Sequence, residues 1–468
     1  MKRRRFLKTM GQAAVVAGTA PLASISGATA PKRITVAGVG DCIPSRRMSE
    51  RTDRGFLDLV KLLRGVDCTW GNCETVFADP EKLYPAYKGL DPFTICEPWG
   101  AAELAWMGID FMGLANNHTM DWGIEGLFST MRTLDALDIP YGGAGVDLAR
   151  SNKPSYFDSP AGRVGQVNFA SSFRDHFAAG SPHPYVPGRP GLNPLHVEKV
   201  TQVQQDLFER IAALYPETIR LAGWAEFQDI TDMLMSQMPE GTAYLGESMV
   251  KAGDKFDLLG LIDPEDKERI TGAIKIARNN SRVVLATTHA HESYERLETE
   301  APYINEMARA CIDAGADIFF AAGPHLLRGI EMYKGKPIFY SLGNFVMHPL
   351  AQEIPASSWK AFGLPEDSID PSEIMSKIPY AGRKKYWQSV VPVVTLEGGT
   401  GLDDGPGTVV DIELHPILLG FGEPGWRRGT PELVSGAEAT EILELVARLS
   451  EPHGTSIRIR SGVGHVAL

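Results

Sequence analysis

Five short apolar runs in this chain each lead into a group that can bind a metal ion or move a proton. Asp41 follows the run Ile34 to Val39, and Glu74 follows Val66 to Trp70. Asn117 and His118 follow Ile109 to Leu114, His289 and His291 follow Val283 to Thr288, and His325 follows Ala316 to Ala322. Runs of this length, rich in β-branched and aromatic residues and closed by turn formers, read as buried strands. Polar groups just past the carboxyl ends of such strands stand where open α/β sheets place their ligands. Each group also has a plain structural reading: Asp41 or Asp121 as a cap, Asn116 and Asn117 as turn residues, each histidine as a hydrogen-bonding group. Five in succession at one end of successive strands fit a purely structural sheet poorly. The donors are oxygen and nitrogen without thiolate, a set that suits Mn, Fe, Zn or Mg. His289 and His291 both reach one site if the strand continues, and only one does if the chain turns at Ala290.

These strands need helices between them, and the periodicity supplies candidates. Gly55 to Leu63, Ala101 to Met107, Pro264 to Arg278 and Pro302 to Ala314 read as helices, and Ile124 to Leu137 puts Ile124, Leu127, Met131, Leu134 and Leu137 on one face. With Val164 to Ala170 as a further strand, the alternation predicts a largely parallel α/β sheet. From about 175 to 265 it breaks down. A Pro- and Gly-rich part, Gly180 to Pro194, precedes apparently helical material from Val197 to Tyr215, which predicts a mostly helical insertion bordering the site. His176, His183 and His196 lie there and read as surface or hydrogen-bonding histidines. Gly142-Gly143-Ala144-Gly145 lacks the Lys-Ser/Thr of a phosphate loop and predicts a tight turn. Residues 351–385 carry little pattern and read as a linker. A C-terminal α/β extension over 386–468 follows, with strands Val390 to Leu396, Val409 to Leu414 and Ser456 to Arg460 and a helix Ala437 to Leu449.

A formal net charge of -12 over 468 residues argues against nucleic acid or an anionic membrane surface as a general partner. The N-terminus is locally basic. Lys2 to Arg5, then Phe6-Leu7-Lys8, an apolar stretch Gly11 to Ala23 and the small residues Ala28-Thr29-Ala30 resemble a twin-arginine export signal over 1–30. The expectation is a periplasmic or extracellular protein starting near Pro31, with no transmembrane segment after signal cleavage. Five scattered cysteines make no disulfide framework and read as small core residues.

Taken together the motifs resemble a known family. Gly40-Asp41, Asn72-Cys73-Glu74, Ala115-Asn116-Asn117-His118 with Asp121 and Gly123, His289, Gly323-Pro324-His325 and Tyr340-Ser341-Leu342-Gly343-Asn344-Phe345 stand in the order of the CapA family. That family is linked to bacterial poly-gamma-glutamate capsule synthesis and related to the calcineurin-like metallophosphoesterases. The likeness runs from about Ile34 to Phe345 and through Arg189 to Leu195. It implies an α/β fold over 31–350, a metallophosphoesterase-like four-layer sandwich of two mixed sheets flanked by helices, with 386–468 completing it. It also implies roles. Asp41, Asn117, His289 and His325 become metal ligands, Glu74 the carboxylate shared by two ions, and His118 the general acid. Asn116, Asp121 and Asn344 stand behind them.

Two departures count. The phosphoesterase pattern has Asp-x-His where this chain has Asp41-Cys42-Ile43, and His-x-His where it has Gly323-Pro324-His325. His291 replaces at most one of the missing imidazoles, so one or two divalent ions are expected. The leading expectation is a metal-dependent hydrolase acting on a phosphoester or a cell-surface polymer precursor, in contact with a poly-gamma-glutamate synthesis or export complex. Its rivals are a non-catalytic accessory protein that binds the polymer or that complex, and a purely structural envelope protein.

Overall fold

Along the strand Arg33–Ile43, successive side chains go to two different cores. Ile34 and Val36 join Val283, Leu285 and Phe320 in one cluster, while Ala37 and Val39 join Phe56, Leu59, Leu104 and Leu127 in another. The strand Val283–His289 divides the same way, Val283 and Leu285 to the shared core and Val284 and Ala286 against Ile270, Ile274, Ile304 and Met307. A strand repeats every two residues, so each of these strands is buried on both faces. Helices cover one face of each of these two strands, and their other faces share one core. Each fully buried Val, Leu, Ile or Phe contributes about 1.5–3 kcal/mol, so the central core holds the sheets face to face. Trp70 adds a polar link across it, stacking on Phe320 with ring centroids 5.7 Å apart and donating from Nε1 to Gln166 Oε1 at 2.9 Å.

The structure is a computed structural model that describes residues 33–87, 92–221, 241–246, 248–348, 352–353, 356–361, 363–365, 382–399, 405–424 and 427–468. The export signal read over 1–30 and much of the linker read over 351–385 lie outside the described residues. Both main sheets are mixed. In the ten-stranded sheet, Arg33–Ile43, Cys68–Cys73, Phe111–Gly113 and Tyr141–Gly142 are parallel neighbours. On its other side Arg33–Ile43 pairs antiparallel with Gln388–Glu397, which leads on to Thr408–Leu418, Val463–Val466 and Ile457–Arg460. The C-terminal segment therefore lies directly against the strand that carries Asp41. In the six-stranded sheet, Gly162–Ala170, Val283–His289, Ile318–Ala322 and Lys336–Phe339 are parallel, with antiparallel edge strands Ser155–Ser159 and Ile330–Tyr333. Among the described residues, no helix is long and apolar enough to cross a membrane.

Two expectations from the sequence need correction. The insertion is not mostly helical among its described residues. Val197–Val203, Thr242–Leu245, Ser248–Ala252 and Asp257–Ile262 form a four-stranded sheet with one helix, Gln205–Leu221, packed on it. Val197, Val200 and Val203 are spaced by three, which imitates a helical face, but the ladder to Ser248–Ala252 and Asp257–Ile262 outweighs that local pattern. The helix Gly123–Ala136 turns Leu127, Met131 and Leu134 of the expected face toward the core and buries Gly126 and Thr130 beside them, while Ile124 and Leu137 are exposed. Both exposed residues sit at the ends of the helix, where the strip has rotated off the sheet.

Candidate metal centre

Asp41 is aimed by a defect in its strand. Register against Cys68–Cys73 shifts between Val39 and Asp41, so Gly40 is the extra residue of a bulge and Asp41 pairs with Asn72. Only glycine fits there, because a Cβ on Gly40 would lie 1.8 Å from the Gly343 carbonyl oxygen, the same oxygen that accepts the Asp41 N–H at 3.1 Å. Gly40→Ala is expected to push the two backbones apart and lower stability by about 1–3 kcal/mol, measured by chemical denaturation. An unchanged midpoint would show that the bulge is not tight.

The donors from both sheets meet beyond the strand ends. Asp41, Glu74 and His325 bring one donor atom each within 4.8 Å of one another, and Glu74, His289 and His291 do the same. Glu74 belongs to both groups. Its Oε1 lies 3.6 Å from His289 Nε2, 3.8 Å from His118 Nε2 and 3.9 Å from His325 Nε2. These gaps are too long for hydrogen bonds. They match donors about 3.4 Å apart around one ion at about 2.1 Å. The strand ends at His289, yet both histidines reach the centre, Nε2 to Nε2 at 2.9 Å.

Supporting groups fix how the donors point. Asn344 donates from Nδ2 to the Tyr386 carbonyl at 2.9 Å, which turns its Oδ1 toward His325 Nδ1 at 2.9 Å, where Asp41 Oδ2 also lies 3.2 Å away, and the ring then directs Nε2 toward Glu74. His325 itself adopts a left-handed backbone, φ 57°, uncommon for any residue but glycine and typical of functional positions. Asn72 Nδ2 bridges Asp41 Oδ1 at 2.8 Å and His289 Nδ1 at 3.1 Å. His118 Nδ1 lies 2.6 Å from Asp121 Oδ2, which also accepts the Thr94 N–H at 2.8 Å. Asn116 ties this loop to the neighbouring strand, accepting the His118 N–H and donating to the Cys73 carbonyl. His291 accepts no such side-chain support, but Ser172 Oγ receives its N–H at 2.7 Å and the buried Arg328 donates to its carbonyl at 3.0 Å. Cys42 and Cys73 face the helix-side core, and burial drives both thiols upward, Cys73 to about 12.

Electrostatics mark a site built for added positive charge. Burial works to raise the Asp41 carboxyl, but the hydrogen bond and charge of His325 outweigh it and hold the group at about 2. Burial and the charge of Asp41 push Glu74 well above the ordinary range. Burial also lowers His289, and takes His291 to about 3 with help from His325, so both imidazoles keep their lone pairs. Both Glu74 oxygens and Asn117 Oδ1 are buried without a hydrogen-bond partner among the described residues. Unpaired buried oxygens of this kind are costly, and a divalent ion would satisfy them. The donor set fits that group.

Asn117, His118 and His291 line a cleft of about 1080 Å³ together with residues 171–175, which bond to the His289–Glu292 segment, and with residues of the insertion. The ladder strands thus bring together Asp41, Glu74, His118, His289, His291 and His325, with Asn117 lining the same cleft. The sequence shows Asn72 within the Asn72-Cys73-Glu74 motif without giving it a role, although it stands two residues before Glu74, a spacing that on one strand puts both side chains on the same face. Sequence reasoning passed over Ser172 and Arg328, whose contacts are made through the backbone of His291 and leave no motif.

A family profile described as bacterial capsule synthesis protein PGA_cap matches residues 35–349, which include every donor named above. The chain belongs to that family. Among PGA_cap relatives, the Sinorhizobium fredii protein y4sH is 32% identical over 95% of this chain and 96% of its own length. Capsule biosynthesis protein CapA of Bacillus anthracis is 25% identical over 67% of this chain and 60% of its own. PGA biosynthesis protein CapA of Bacillus subtilis is 40% identical over an 83-residue stretch, 18% of this chain.

Proposed function

We propose that this PGA_cap protein is an exported, metal-dependent hydrolase of the metallophosphatase type, acting on a phosphoester or a cell-surface polymer precursor. The observation that carries the reading is Glu74: buried, without a hydrogen-bond partner among the described residues, and common to two donor groups, one of which includes the cleft-lining His291. The layered arrangement of two mixed sheets between helices supports the metallophosphoesterase likeness. Asp41, Glu74 and His325 would hold one ion, and Glu74, His289 and His291 a second, with Asn117 offering Oδ1. His291 then stands in for one of the two imidazoles absent from the phosphoesterase pattern. A bound divalent ion supplies a lowered pKa for water and neutralises phosphoryl oxygens. The rest belongs to the chain. His118, fixed by Asp121, holds a proton at Nε2 beside Glu74 and delivers it to a leaving oxygen, and the cleft walls exclude water from the reacting group. The basic, apolar and small-residue stretches of residues 1–30 support export by the twin-arginine route, which suits a protein that folds around its metal before it crosses the membrane.

The test is metal analysis of purified full-length protein followed by turnover of a phosphoester panel with Mn, Fe, Zn or Mg. One or two ions per chain and metal-dependent turnover are expected. Metal binding with no hydrolysis of any ester, together with binding of poly-gamma-glutamate, would replace the hydrolase by an accessory protein.

A further inference from the structure

The part of the cleft formed by the insertion carries a second histidine–carboxylate pair. His196 Nδ1 lies 2.6 Å from Asp266 Oδ2, and the His196 backbone N–H donates to the same oxygen at 2.8 Å. Asp266 is itself held: Arg269 Nη2 donates to its Oδ1 at 2.7 Å, and its own N–H caps onto Asp263 at the start of the helix Pro264–Arg278. With Nδ1 committed, Nε2 is the ring nitrogen left to the cleft, which the half-exposed His196 helps to line. Phe173 packs edge-on against the imidazole, centroids 5.4 Å apart. Arg174 lines the same cleft, its guanidinium 3.9 Å from the centre of the Tyr87 ring, and its charge reaches the Asp121 carboxyl behind His118.

We infer that His196 and Arg174 form an anion subsite in the cleft that Asn117, His118 and His291 also line, which takes a second anionic group, carboxylate or phosphate, of the molecule held there. That placement rests on the metal centre being where the substrate sits. An imidazolium and a guanidinium offer charge-assisted N–H donors to such oxygens. The Asp266 hydrogen bond raises the His196 imidazole above its ordinary value, with burial opposing, Asp263 adding and Arg269 subtracting. Of the other charged groups lining the cleft, Lys199 favours an anion, and Asp175, Glu198, Asp263 and Glu292 disfavour one. Glu292 is already engaged by the Ser171 and Ser172 hydroxyls.

The competing account is that His196 merely clamps residues 193–196 to the helix start. The two part at Nε2, since a clamp needs only Nδ1. Asparagine places its Nδ2 where histidine has Nδ1 and has nothing at Nε2, so H196N keeps the Asp266 bond and loses the cleft atom. The experiment uses metal-free full-length protein with 15N-labelled histidine, in which the signal missing from H196N is His196, or the one missing from H196Q if H196N does not fold. Inorganic phosphate and acetate are titrated separately. A saturable shift of the His196 Nε2 signal is expected, with binding weakened about 10-fold in R174M. A response to phosphate alone identifies a phosphate subsite, and one to acetate alone a carboxylate subsite. A signal that stays still in both titrations overturns the inference. Because no metal is present, the result is independent of hydrolysis. A shift without phosphoesterase activity keeps the subsite and removes the hydrolase, and activity without a shift does the reverse.

Discussion

Glu74→Gln is expected to abolish tight metal binding, lowering affinity by more than the roughly 10- to 100-fold that loss of an outer supporting group costs. The amide keeps the size of the side chain but removes the charge that both donor groups share. Asp41→Asn removes the charge of a donor in one group only, so it is expected to weaken one ion and spare the other. Calorimetric titration with Mn distinguishes the two outcomes. The same titration run against pH tests the electrostatics. Glu74 is raised in the metal-free protein, while His289 and His291 are lowered and already neutral. Burial works to lower His325, but the hydrogen bond and charge of Asp41 raise it above its ordinary value. A cation must therefore displace protons from Glu74 and His325, and affinity falls as pH drops toward and below their raised values. The His289 and His291 imidazoles, titrating lower, contribute no step near pH 6.5. Wild-type affinity in Glu74→Gln would mean that the shared carboxylate is not a ligand, and the hydrolase reading would lose its main support.

How far the sequence disclosed this centre depends on where each residue's constraint comes from. Asp41, Glu74, His118, His289 and His325 were visible because each follows a run whose burial on both faces leaves a continuous apolar signal, and the end of such a run is a position with chemical meaning. His291 was left open, since the path of the chain past His289 is decided by Ser172 and Arg328, which are distant in sequence. The bulge at Gly40 was legible as a glycine beside an acid, but its cause, the Gly343 carbonyl against the backbone, appears only once Asn344–Met347 pairs with the end of Arg33–Ile43. The insertion was misread for a related reason. Valines three apart satisfy a helical pattern locally, and the ladder that makes Val197–Val203 a strand comes from partners about 50 to 60 residues away. His196 looked like an ordinary polar histidine because its partner, Asp266, lies 70 positions further on.

His118→Gln is expected to separate the proton donor from the ligands. Distance alone does not, since His118 Nε2 lies 3.8 Å from Glu74 Oε1, between the 3.6 Å of His289 and the 3.9 Å of His325. What distinguishes a general acid is its dependence on the leaving group. An alkyl phosphate leaves as a strongly basic alkoxide and needs a proton, whereas a nitrophenyl phosphate leaves without one. If His118 supplies that proton, His118→Gln lowers kcat by about 10²- to 10⁴-fold for the alkyl ester, far less for the nitrophenyl ester, and leaves metal content unchanged. Asp121→Asn keeps the hydrogen-bonding shape but withdraws the carboxylate that favours the imidazolium, and is expected to reproduce the same selectivity at about 10- to 100-fold. Equal losses for both esters accompanied by loss of metal would instead make His118 a ligand. The proton would then have to come from another group on the cleft wall, and His196 is the histidine there whose Nε2 remains available.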